Sequence, residues 1–509
     1  MHKKILSGLI AVGVGLMSIS SHAVLLKQPG NKDNDAPLIY STDPGAERFV
    51  PVGKLKTNVE CTATLIAGSE KPDSQLPALI LSAGHCASDI LHTNQVIVDQ
   101  PVEQTWSYTP NYFIDKQGAT QPLAVTRIVY ATMKQDDIAV FQLAATYGDL
   151  ASQGIYPLLL QQNLQNENQS VELTHIPVEG VEESQRFLRH SECEITGRTP
   201  ALYEGLFPWI WMPAYSVNCA GVAGGSSGSP VVLKDQTKIV GILNTTVTPG
   251  LKGCGLGRPC EITDNMPVAR EGASYFTSID RVARALTEQG KLDLTRLDNG
   301  QGDIINQYRF WRTQSRVNGE AAKWNLTLDE MAGAVRYKAG LSSETDCADI
   351  NGYSNPVSAA EQPLMSLALP QQEGLYLLCI IRQNADNSWL SADQAGMALH
   401  QIDDTPPTVA PTFRVTEDEK KWFVFLDVTP YELDTVQVKY GPEKEVNCKD
   451  KQGYSLFLGV AFMLAKDQAP WRICTYGKDV AGNEGPVAEK ILYNGMNTEL
   501  ADGQGNNSR

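Results

Sequence analysis

The sequence lacks the spacings that build metal sites. Its 7 histidines and 10 cysteines form no CxxC and no HExxH motif, although such short spacings are how many chains present several ligands to one ion. The cysteines are even in number and spread along the chain, which favours structural disulfides over metal ligation. We therefore expect neither a metal site nor a cofactor.

Positive charge is also scarce. The chain has 42 Lys and Arg against 58 Asp and Glu, and its net charge is −16. An acidic surface repels the phosphates of nucleic acids and the headgroups of anionic lipids. The composition thus argues against nucleic acid and anionic membranes as partners and mainly favours solubility.

A long apolar run is missing beyond the N-terminus. Residues 5–17 are apolar, follow two lysines and precede Ser21-His22-Ala23, which is the pattern of a secretory signal peptide over residues 1–23. The run is too short to span a bilayer comfortably, and Val24 in place of Cys gives no sign of lipid attachment. Loss of Lys3 and Lys4 with this peptide takes the net charge from −16 to −18.

We therefore expect a secreted or periplasmic protein without a membrane span. The expected chain ends are an N-terminal extension or propeptide at 24–44 and a polar, disordered tail at 496–509.

Spacing suggests how the ten cysteines pair. An exported chain with an even cysteine count forms a disulfide framework, although the sequence alone does not determine its connectivity. Partners close in sequence give the pairs Cys61–Cys86, Cys193–Cys219, Cys254–Cys260, Cys347–Cys379 and Cys448–Cys474.

Three short patterns supply the residue types that nucleophilic catalysis needs. His85 follows an apolar strand at 79–82, Asp137 precedes an apolar triplet at 138–140, and Ser227 lies in a run of glycine and serine. A serine hydroxyl needs an imidazole to take its proton and a carboxylate to orient the imidazole. Each pattern alone is common, but here they agree in residue type, order and spacing.

These patterns resemble those of the chymotrypsin/trypsin-like serine proteases. The resemblance covers about half of the chain and predicts a trypsin-like double β-barrel at 45–297. The similar segments are 61–66, 82–86, 137–140, 225–230 and the strand 239–243.

The resemblance implies a secreted serine endopeptidase that acts on proteins or peptides through an acyl-enzyme. His85 would be the general base, Asp137 the carboxylate that orients it and Ser227 the nucleophile. The backbone N–H groups of Gly225 and Ser227 would form the oxyanion hole. The family also has a disulfide that matches Cys61–Cys86, beside the histidine.

The chain departs from the family at two places. Ser226 stands where the trypsin-like zymogens have an Asp that pairs with a newly cut N-terminal amine, although Arg48 and Phe49 faintly resemble a cleavage site. We therefore expect a site organised without amine insertion. Gly221 replaces the acid at the pocket floor, which favours a small or apolar substrate side chain. The predicted pocket residues are Gly221, Val222, Asn244 and Thr245.

Three alternatives accompany this interpretation. Residues 224–228 also match G-x-S-x-G, the nucleophile elbow of α/β-hydrolases, but that fold needs its acid and its histidine downstream, and only His400 follows. Asp136 could replace Asp137 as the carboxylate. The protein could also be an inactive protease-like binding protein or adhesin.

Behind the protease region the sequence repeats itself. The pattern C-x-D-x-x-G-Y-S begins at Cys347 and again at Cys448. The similar stretches Val335-Arg336-Tyr337 and Val438-Lys439-Tyr440 precede the two copies. Short alternating strands in units of about 90 residues are typical of immunoglobulin-like sandwiches. We predict two such domains, at 305–402 and 403–495, that act as spacers or dock to a cell surface or matrix through Trp389, Trp422 or Trp471.

Overall fold

A computed structural model gives the fold. It describes residues 36–87, 96–134, 136–162, 169–199, 202–204, 214–234, 236–249, 257–262, 267–297, 311–314, 322–328, 333–342, 344–347, 349–370, 372–383, 387–392, 395–427, 433–479 and 481–494. The predicted signal peptide, the start of the extension and the tail lie outside these residues.

The first barrel is formed by strands between residues 52 and 146. These are β1 (Val52–Lys56), β2 (Glu60–Ala67), β3 (Pro77–Ser82), β4 (Val96–Pro101), β5 (Ser107–Thr109), β6 (Leu123–Thr132) and β7 (Ile138–Thr146). Their order is β1-β5-β6-β7-β3-β2, with β4 paired to β6 beside this path. Because β1 also pairs with β2, the six-stranded sheet closes on itself.

The second barrel follows in the chain. Its region contains β8 (Leu158–Leu160), β9 (Ser170–His175), β10 (Arg189–Thr199), β11 (Leu202–Tyr203), β12 (Ala214–Val217), β13 (Pro230–Leu233), β14 (Lys238–Thr246), β15 (Cys260–Ile262), β16 (Pro267–Val268) and β17 (Ser274–Ser278). The order β14-β13-β9-β10-β12-β17 closes through the pairing of β14 with β17. The small sheet β11-β15-β16 is separate, and β8 joins the barrels by pairing with both β2 and β14.

The strands at the junction of the barrels are apolar on both faces. Ile80 of β3 packs in the core of the first barrel, whereas its neighbours Leu79 and Leu81 share a cluster with Ile239 and Ile242 of β14. Successive side chains of a strand point to opposite faces, so one face fills the barrel and the other packs between barrels. The all-β double barrel that the resemblance predicts is therefore confirmed.

Helices are short in the described residues. The helix that begins at Asp280 is short, since Leu286 just after it already pairs with Leu292 and Gly290 has a φ of +92°. The α-helices are α1 (Tyr147–Ser152) and α2 (Asp280–Ala285), and the 3₁₀ helices are Ala46–Phe49, Gly84–Ala87, Ile114–Lys116, Glu183–Gln185, Leu294–Arg296, Ala359–Glu361 and Lys466–Gln468. None of the helices in the described ranges is long and apolar enough to cross a membrane.

The next sheet has five strands. They are β18 (Trp311–Gln314), β19 (Ala334–Leu341), β20 (Val357–Ser358), β21 (Gly374–Arg382) and β22 (Gly396–Ile402), in the order β18-β22-β21-β19-β20. Trp324, Leu326 and Leu328 alternate in sequence and pack with β21 and β22 in one buried cluster. A separate segment thus covers one face of this sheet.

The last part of the chain is a sandwich of two antiparallel sheets. Its strands are β23 (Thr412–Glu417), β24 (Lys421–Asp427), β25 (Thr435–Pro442), β26 (Ser455–Leu456), β27 (Phe462–Ala465), β28 (Trp471–Lys478) and β29 (Ala488–Leu492). The orders are β23-β24-β27 and β26-β25-β28-β29. Trp422 and Val424 from the first sheet share a core with Val436 and Ile473 from the second, as in other two-sheet sandwiches.

The three tryptophans proposed for docking contribute to packing. Trp422 is 1% exposed. Trp471 is half-buried and donates from Nε1 to the Ala465 carbonyl at 2.8 Å. The ring of Trp389 lies under the guanidinium of Arg336. These contacts do not favour the tryptophans as a binding surface.

The repeated C-x-D-x-x-G-Y-S pattern has a structural role in both copies. Tyr353 donates its hydroxyl to the Cys347 carbonyl at 2.9 Å, and Asp349 accepts the backbone N–H of Asn351 at 3.0 Å. The glycine, Gly352, has a φ of +85°. Tyr454, Asp450 and Gly453 repeat these roles in the second copy.

A lysine anchors each of the two loops. Lys338 donates from Nζ to the carbonyls of Asp349 and Asn351, and Lys439 does the same to those of Asp450 and Gln452. Each lysine lies nine residues before its cysteine. Lys338 is therefore the counterpart of Lys439. The similar stretches 335–337 and 438–440 do not correspond residue by residue, because this match shifts them by two positions.

Four disulfides occur in the described residues, and each joins cysteines that spacing pairs. They are Cys61–Cys86, Cys193–Cys219, Cys347–Cys379 and Cys448–Cys474. Cys260 is also disulfide-bonded, and its predicted partner Cys254 lies outside the described residues. Disulfides of this number fit an oxidising compartment.

Candidate active site

Two neighbouring strands bring His85 and Asp137 together. β3 and β7 are antiparallel with Ser82 opposite Ala139, so the end of β3 lies beside the start of β7. His85 follows Ser82 by three residues, in the 3₁₀ helix Gly84–Ala87, and Asp137 precedes Ala139 by two. The strand pairing thus joins residues 52 positions apart.

The Asp137 carboxylate holds His85 through two hydrogen bonds. Oδ2 lies 2.7 Å from His85 Nδ1, and Oδ1 accepts the His85 backbone N–H at 2.8 Å. The Asp137 side chain is fully buried, whereas that of His85 is 33% exposed. A Cβ on Gly84 would lie 2.9 Å from Asp137 Oδ1, so this close approach needs glycine. An imidazole held at Nδ1 leaves Nε2 for proton transfer.

The surrounding charge favours the protonated form of His85. Burial lowers the pKa of His85, but the charge and hydrogen bond of Asp137, together with the charge of Glu204, raise it above its ordinary value of 6.5 on balance. His85 therefore becomes the neutral, base-competent imidazole only as the pH passes that raised pKa.

Asp136, the alternative carboxylate, is bonded elsewhere. Thr277 donates its hydroxyl to Asp136 Oδ1 at 3.0 Å, and Arg281 Nε lies 3.2 Å from Oδ2. Burial raises the pKa of Asp136. These contacts leave Asp137 as the carboxylate beside His85.

Ser227 lies in the turn that leads into β13, and Asn244 connects this turn to Asp137. The Ser227 hydroxyl donates to the Asn244 carbonyl at 3.2 Å. The Asn244 side-chain amide in turn donates to the Asp137 carbonyl at 2.6 Å. One residue of β14 thus contacts both, and it brings the serine to the histidine–aspartate pair.

The Ser227 turn also packs against β2 and the end of β3. Thr62, next to the Cys61–Cys86 disulfide, donates its backbone N–H to the Ser227 carbonyl at 2.8 Å. A Cβ on Gly228 would lie 2.1 Å from Ser82 Oγ. Only glycine at position 228 allows this close contact between the Ser227 turn and the end of β3.

No hydrogen bond joins Ser227 to His85 within the described residues, because the serine hydroxyl is turned to Asn244. Rotation about χ1 of Ser227 would redirect its hydroxyl. Catalytic hydrogen bonds are often long or absent before substrate binds and tighten in the complex.

The Gly225 N–H is oriented by the peptide to which it belongs. The Gly224 carbonyl accepts the backbone N–H groups of Val178 and Glu179 at 2.7 and 3.0 Å. The C=O and N–H of a trans peptide point in opposite directions, so the Gly225 N–H points away from this segment. It donates to no acceptor in the described part of the chain. Gly225 has a φ of +97°, which glycine adopts readily.

The Ser227 N–H is oriented in the same way. The Ser226 carbonyl accepts the Ser229 hydroxyl at 2.5 Å and the Ser229 backbone N–H at 3.2 Å. The Ser227 N–H on the opposite side of that peptide also donates to no described acceptor. Two unengaged backbone donors in one tight turn are what an oxyanion hole requires.

The four predicted pocket residues differ in their surroundings. Gly221 has a φ of +71°, and Val222 packs on the core of the second barrel. Thr245 donates its hydroxyl to Glu204 Oε1 at 2.9 Å. Asn244 is 3% exposed and bonded to Asp137. The buried side chain of Asn244 is therefore hydrogen-bonded to the backbone of Asp137 and does not line an open pocket.

Glu204 is a buried titratable residue that the sequence patterns missed. It is 5% exposed and accepts hydrogen bonds from the Thr245 hydroxyl and, at 2.7 Å, from the Gly257 N–H. Burial raises the pKa of Glu204 to about 7, and the charges of His85 and Asp137 also act on it. No motif marks it, because its relation to His85 exists only in three dimensions.

Replacing Glu204 by Gln is expected to move the acid limb of kcat/KM to lower pH. Removing a negative charge that stabilises the imidazolium lowers the pKa of His85, so the neutral base forms at lower pH. A pH profile of peptide hydrolysis measures the shift. Glu192→Gln is the matched control, since Glu192 is paired with Lys234 and does not act on His85. An unmoved limb in Glu204→Gln would show that this charge is not felt at the base.

A serine–histidine contact lies one residue before Ser227. Ser226 Oγ lies 2.9 Å from His175 Nδ1, and both residues are fully buried. No substrate can reach Ser226 there. The α/β-hydrolase elbow is thus excluded by burial and by the all-β fold.

Two groups of metal-ligating side chains occur in the described residues. Cys61 and Cys86 beside His85 form a disulfide, so they offer no thiolate. The other group is Glu172, His190 and Glu192. Its glutamates already pair with Arg48 at 2.6 Å and with Lys234 at 2.8 Å. Neither group has the free anionic ligands that a metal would bind.

Comparison with known proteins gives matches at the level of structure alone. No family model matches the sequence, and no curated protein matches it. A thermostable serine protease AL20 from an extremophilic microorganism is 16% identical with a TM-score of 0.29, over 46% of this chain and 92% of that protein. Neuropsin, a serine protease expressed in the limbic system of mouse brain, is 15% identical with a TM-score of 0.27 over 46% and 92%.

A third match is the protease Anisep from Arthrobacter nicotinovorans, 12% identical with a TM-score of 0.30, over 45% of this chain and 90% of that one. Likenesses this weak add nothing to the fold, which rests on strand pairing and barrel closure. The three structural neighbours are serine proteases.

Proposed function

We propose that this protein is a serine endopeptidase that hydrolyses peptide bonds through His85, Asp137 and Ser227. The observation that carries the proposal is the contact of Asn244 with both Ser227 and Asp137, since it joins the serine turn to a histidine already held by a buried carboxylate.

Each residue has one task in the proposed reaction. Ser227 attacks the scissile carbonyl while His85 takes its proton at Nε2, and His85 then gives that proton to the leaving amine. Asp137 keeps the imidazole in the tautomer with hydrogen on Nδ1 and stabilises the imidazolium. The N–H groups of Gly225 and Ser227 bind the oxyanion of the tetrahedral intermediate. Water then releases the acyl group from Ser227 by the same steps.

The expected substrates are proteins or peptides with a small or apolar residue before the cleaved bond. Gly221 brings no carboxylate to the pocket position, so a cationic side chain would lose its hydration without a partner. Val222 beside it is apolar.

We further propose that the chain is exported to the periplasm or beyond the cell after removal of residues 1–23. The disulfides support this location. The protease would occupy 45–297 and two immunoglobulin-like domains 305–402 and 403–495. These domains could act as spacers or dock to a cell surface or matrix.

A fluorophosphonate probe separates the enzyme from an inactive protease-like binding protein. We expect the wild-type protein to be labelled on Ser227, as located by mass spectrometry of the tryptic digest, and Ser227→Ala to remain unlabelled. Labelling requires an activated serine and an oxyanion hole. A folded wild-type protein that takes no label, before or after trimming of residues 24–48, would favour the binding protein.

A further inference from the structure

Ser226 belongs to a buried chain of hydrogen bonds. Its Oγ accepts the Ala223 N–H at 3.3 Å and lies 2.9 Å from His175 Nδ1. His175 Nε2 lies 3.3 Å from Ser191 Oγ, and the Ser191 hydroxyl donates to the Ala220 carbonyl at 2.8 Å. Ser226 and His175 are fully buried and Ser191 is 5% exposed.

The donors and acceptors of this chain fit one arrangement. The Ser191 hydroxyl is used on Ala220, so His175 must donate to Ser191 from Nε2–H. His175 Nδ1 then carries no proton and accepts the Ser226 hydroxyl. Burial, together with the charges of Arg189 and His190, lowers the pKa of His175 to about 3, so the ring is neutral near pH 7.

Both ends of this row of hydrogen bonds bind one loop, residues 220–226. Ala220 and Ser226 flank the turn that precedes Ser227, and His175 spans the space between them. Ser226 lies between Gly225 and Ser227, whose N–H groups donate to no acceptor in the described residues. A shift of Ser226 would rotate the 226–227 peptide, which carries the Ser227 N–H, and would reach the 224–225 peptide, which carries the other donor, through Gly225.

We propose that His175 is a positioning residue that holds the oxyanion turn through its hydrogen bond to Ser226, in place of an ion pair with a cut N-terminus. The inference rests on the proposed protease function. It deepens that function, since it says that two uncharged groups, the His175 imidazole and the Ser226 hydroxyl, hold the oxyanion donors in place.

The N-terminal residues 36–39 pack against the start of β10, the strand that pairs with β9 beside His175. Ile39 donates its N–H to the Leu188 carbonyl at 2.9 Å, and Leu38 bridges Arg189, which lies opposite His175 in the pairing of β9 with β10. The Arg189 guanidinium also donates to the Ala36 carbonyl at 2.7 Å. The segment is thus packed on the barrel beside His175, and its cleavage is not needed to place an amine at Ser226.

Kinetics of four variants test the proposal with the chromogenic amide succinyl-Ala-Ala-Pro-Ala-p-nitroanilide. We expect Ser226→Ala and His175→Leu to lower kcat by about 10- to 100-fold with little change in KM, because displaced oxyanion donors act on the transition state. His175→Asn should recover much of kcat, since its amide can accept the Ser226 hydroxyl. The Ser226→Ala/His175→Leu double variant should be no slower than either single one.

Ser216→Ala is the matched control. Ser216 is a serine of the same barrel, 1% exposed, whose hydroxyl donates to the Gly197 carbonyl. It should lose a comparable amount of stability and keep its kcat. If His175→Leu does not fold, Ser226→Ala removes the same contact with the loss of one atom.

The outcomes separate the inference from the proposed function. An active wild-type enzyme whose Ser226→Ala form matches Ser216→Ala in kcat would overturn the role of His175 and leave the protease intact. A wild-type protein that neither hydrolyses the amide nor takes a fluorophosphonate would overturn both.

Discussion

Replacement of Ser227 by alanine is expected to lower kcat for peptide hydrolysis by about 10⁵- to 10⁶-fold. The variant keeps the imidazole and the oxyanion donors but has no atom that can form the acyl-enzyme. The remaining rate should exceed that of uncatalysed hydrolysis in water by about 10³–10⁴-fold, owing to the oxyanion hole and substrate binding. Steady-state kinetics with a chromogenic peptide amide measures the loss.

Substrate binding serves as the control for this variant. Within the described ranges the Ser227 hydroxyl bonds only the Asn244 carbonyl, so its removal should leave the fold and peptide affinity nearly unchanged. Circular dichroism and calorimetric titration with a substrate peptide test these two points. A Ser227→Ala protein that hydrolyses peptides at the wild-type rate would remove the serine from the reaction.

Asp137→Asn is expected to lower kcat near pH 7 by about 10⁴-fold. An asparagine amide that donates to Nδ1 selects the imidazole tautomer with hydrogen on Nε2, which cannot accept the proton of Ser227. The backbone contact of the side chain to His85 N–H can remain, so the loss should appear in kcat with the fold preserved. Single-turnover measurements of acylation report it directly.

Asp136→Asn is the matched control for this prediction, one residue earlier in the chain. Asp136 bonds Thr277 and Arg281, away from His85. Its change should lower the melting temperature, because a partly buried Arg281 loses the charge of this carboxylate, and alter kcat little. Equal losses of kcat in both variants would mean that the position of the chain before β7, and not the Asp137 charge, determines the rate.

Local patterns in the sequence determined much of this protein. His85 and Asp137 could be proposed because short motifs around them and Ser227 agree in residue type, order and spacing with a known family. Cysteines 25 to 32 residues apart could be paired by their closeness in sequence, and each disulfide joins a strand to a nearby loop or 3₁₀ helix. The repeated loops were recognisable because the Asp, Gly and Tyr contacts that shape each loop fall within six residues, although the anchoring lysine needed the strand register.

Tertiary structure alone decided how these parts work together. Asn244 meets Asp137 across 107 positions, and His175 meets Ser226 across 51. Glu204 acts on His85 without any contact in sequence. Amino-acid order encodes which side chains a short segment presents, but hydrogen bonds and charges depend on distance in space. The strand order of the second barrel sets that distance, because the serine turn leads into β13, and β13 pairs with β14 on one side and with β9 on the other.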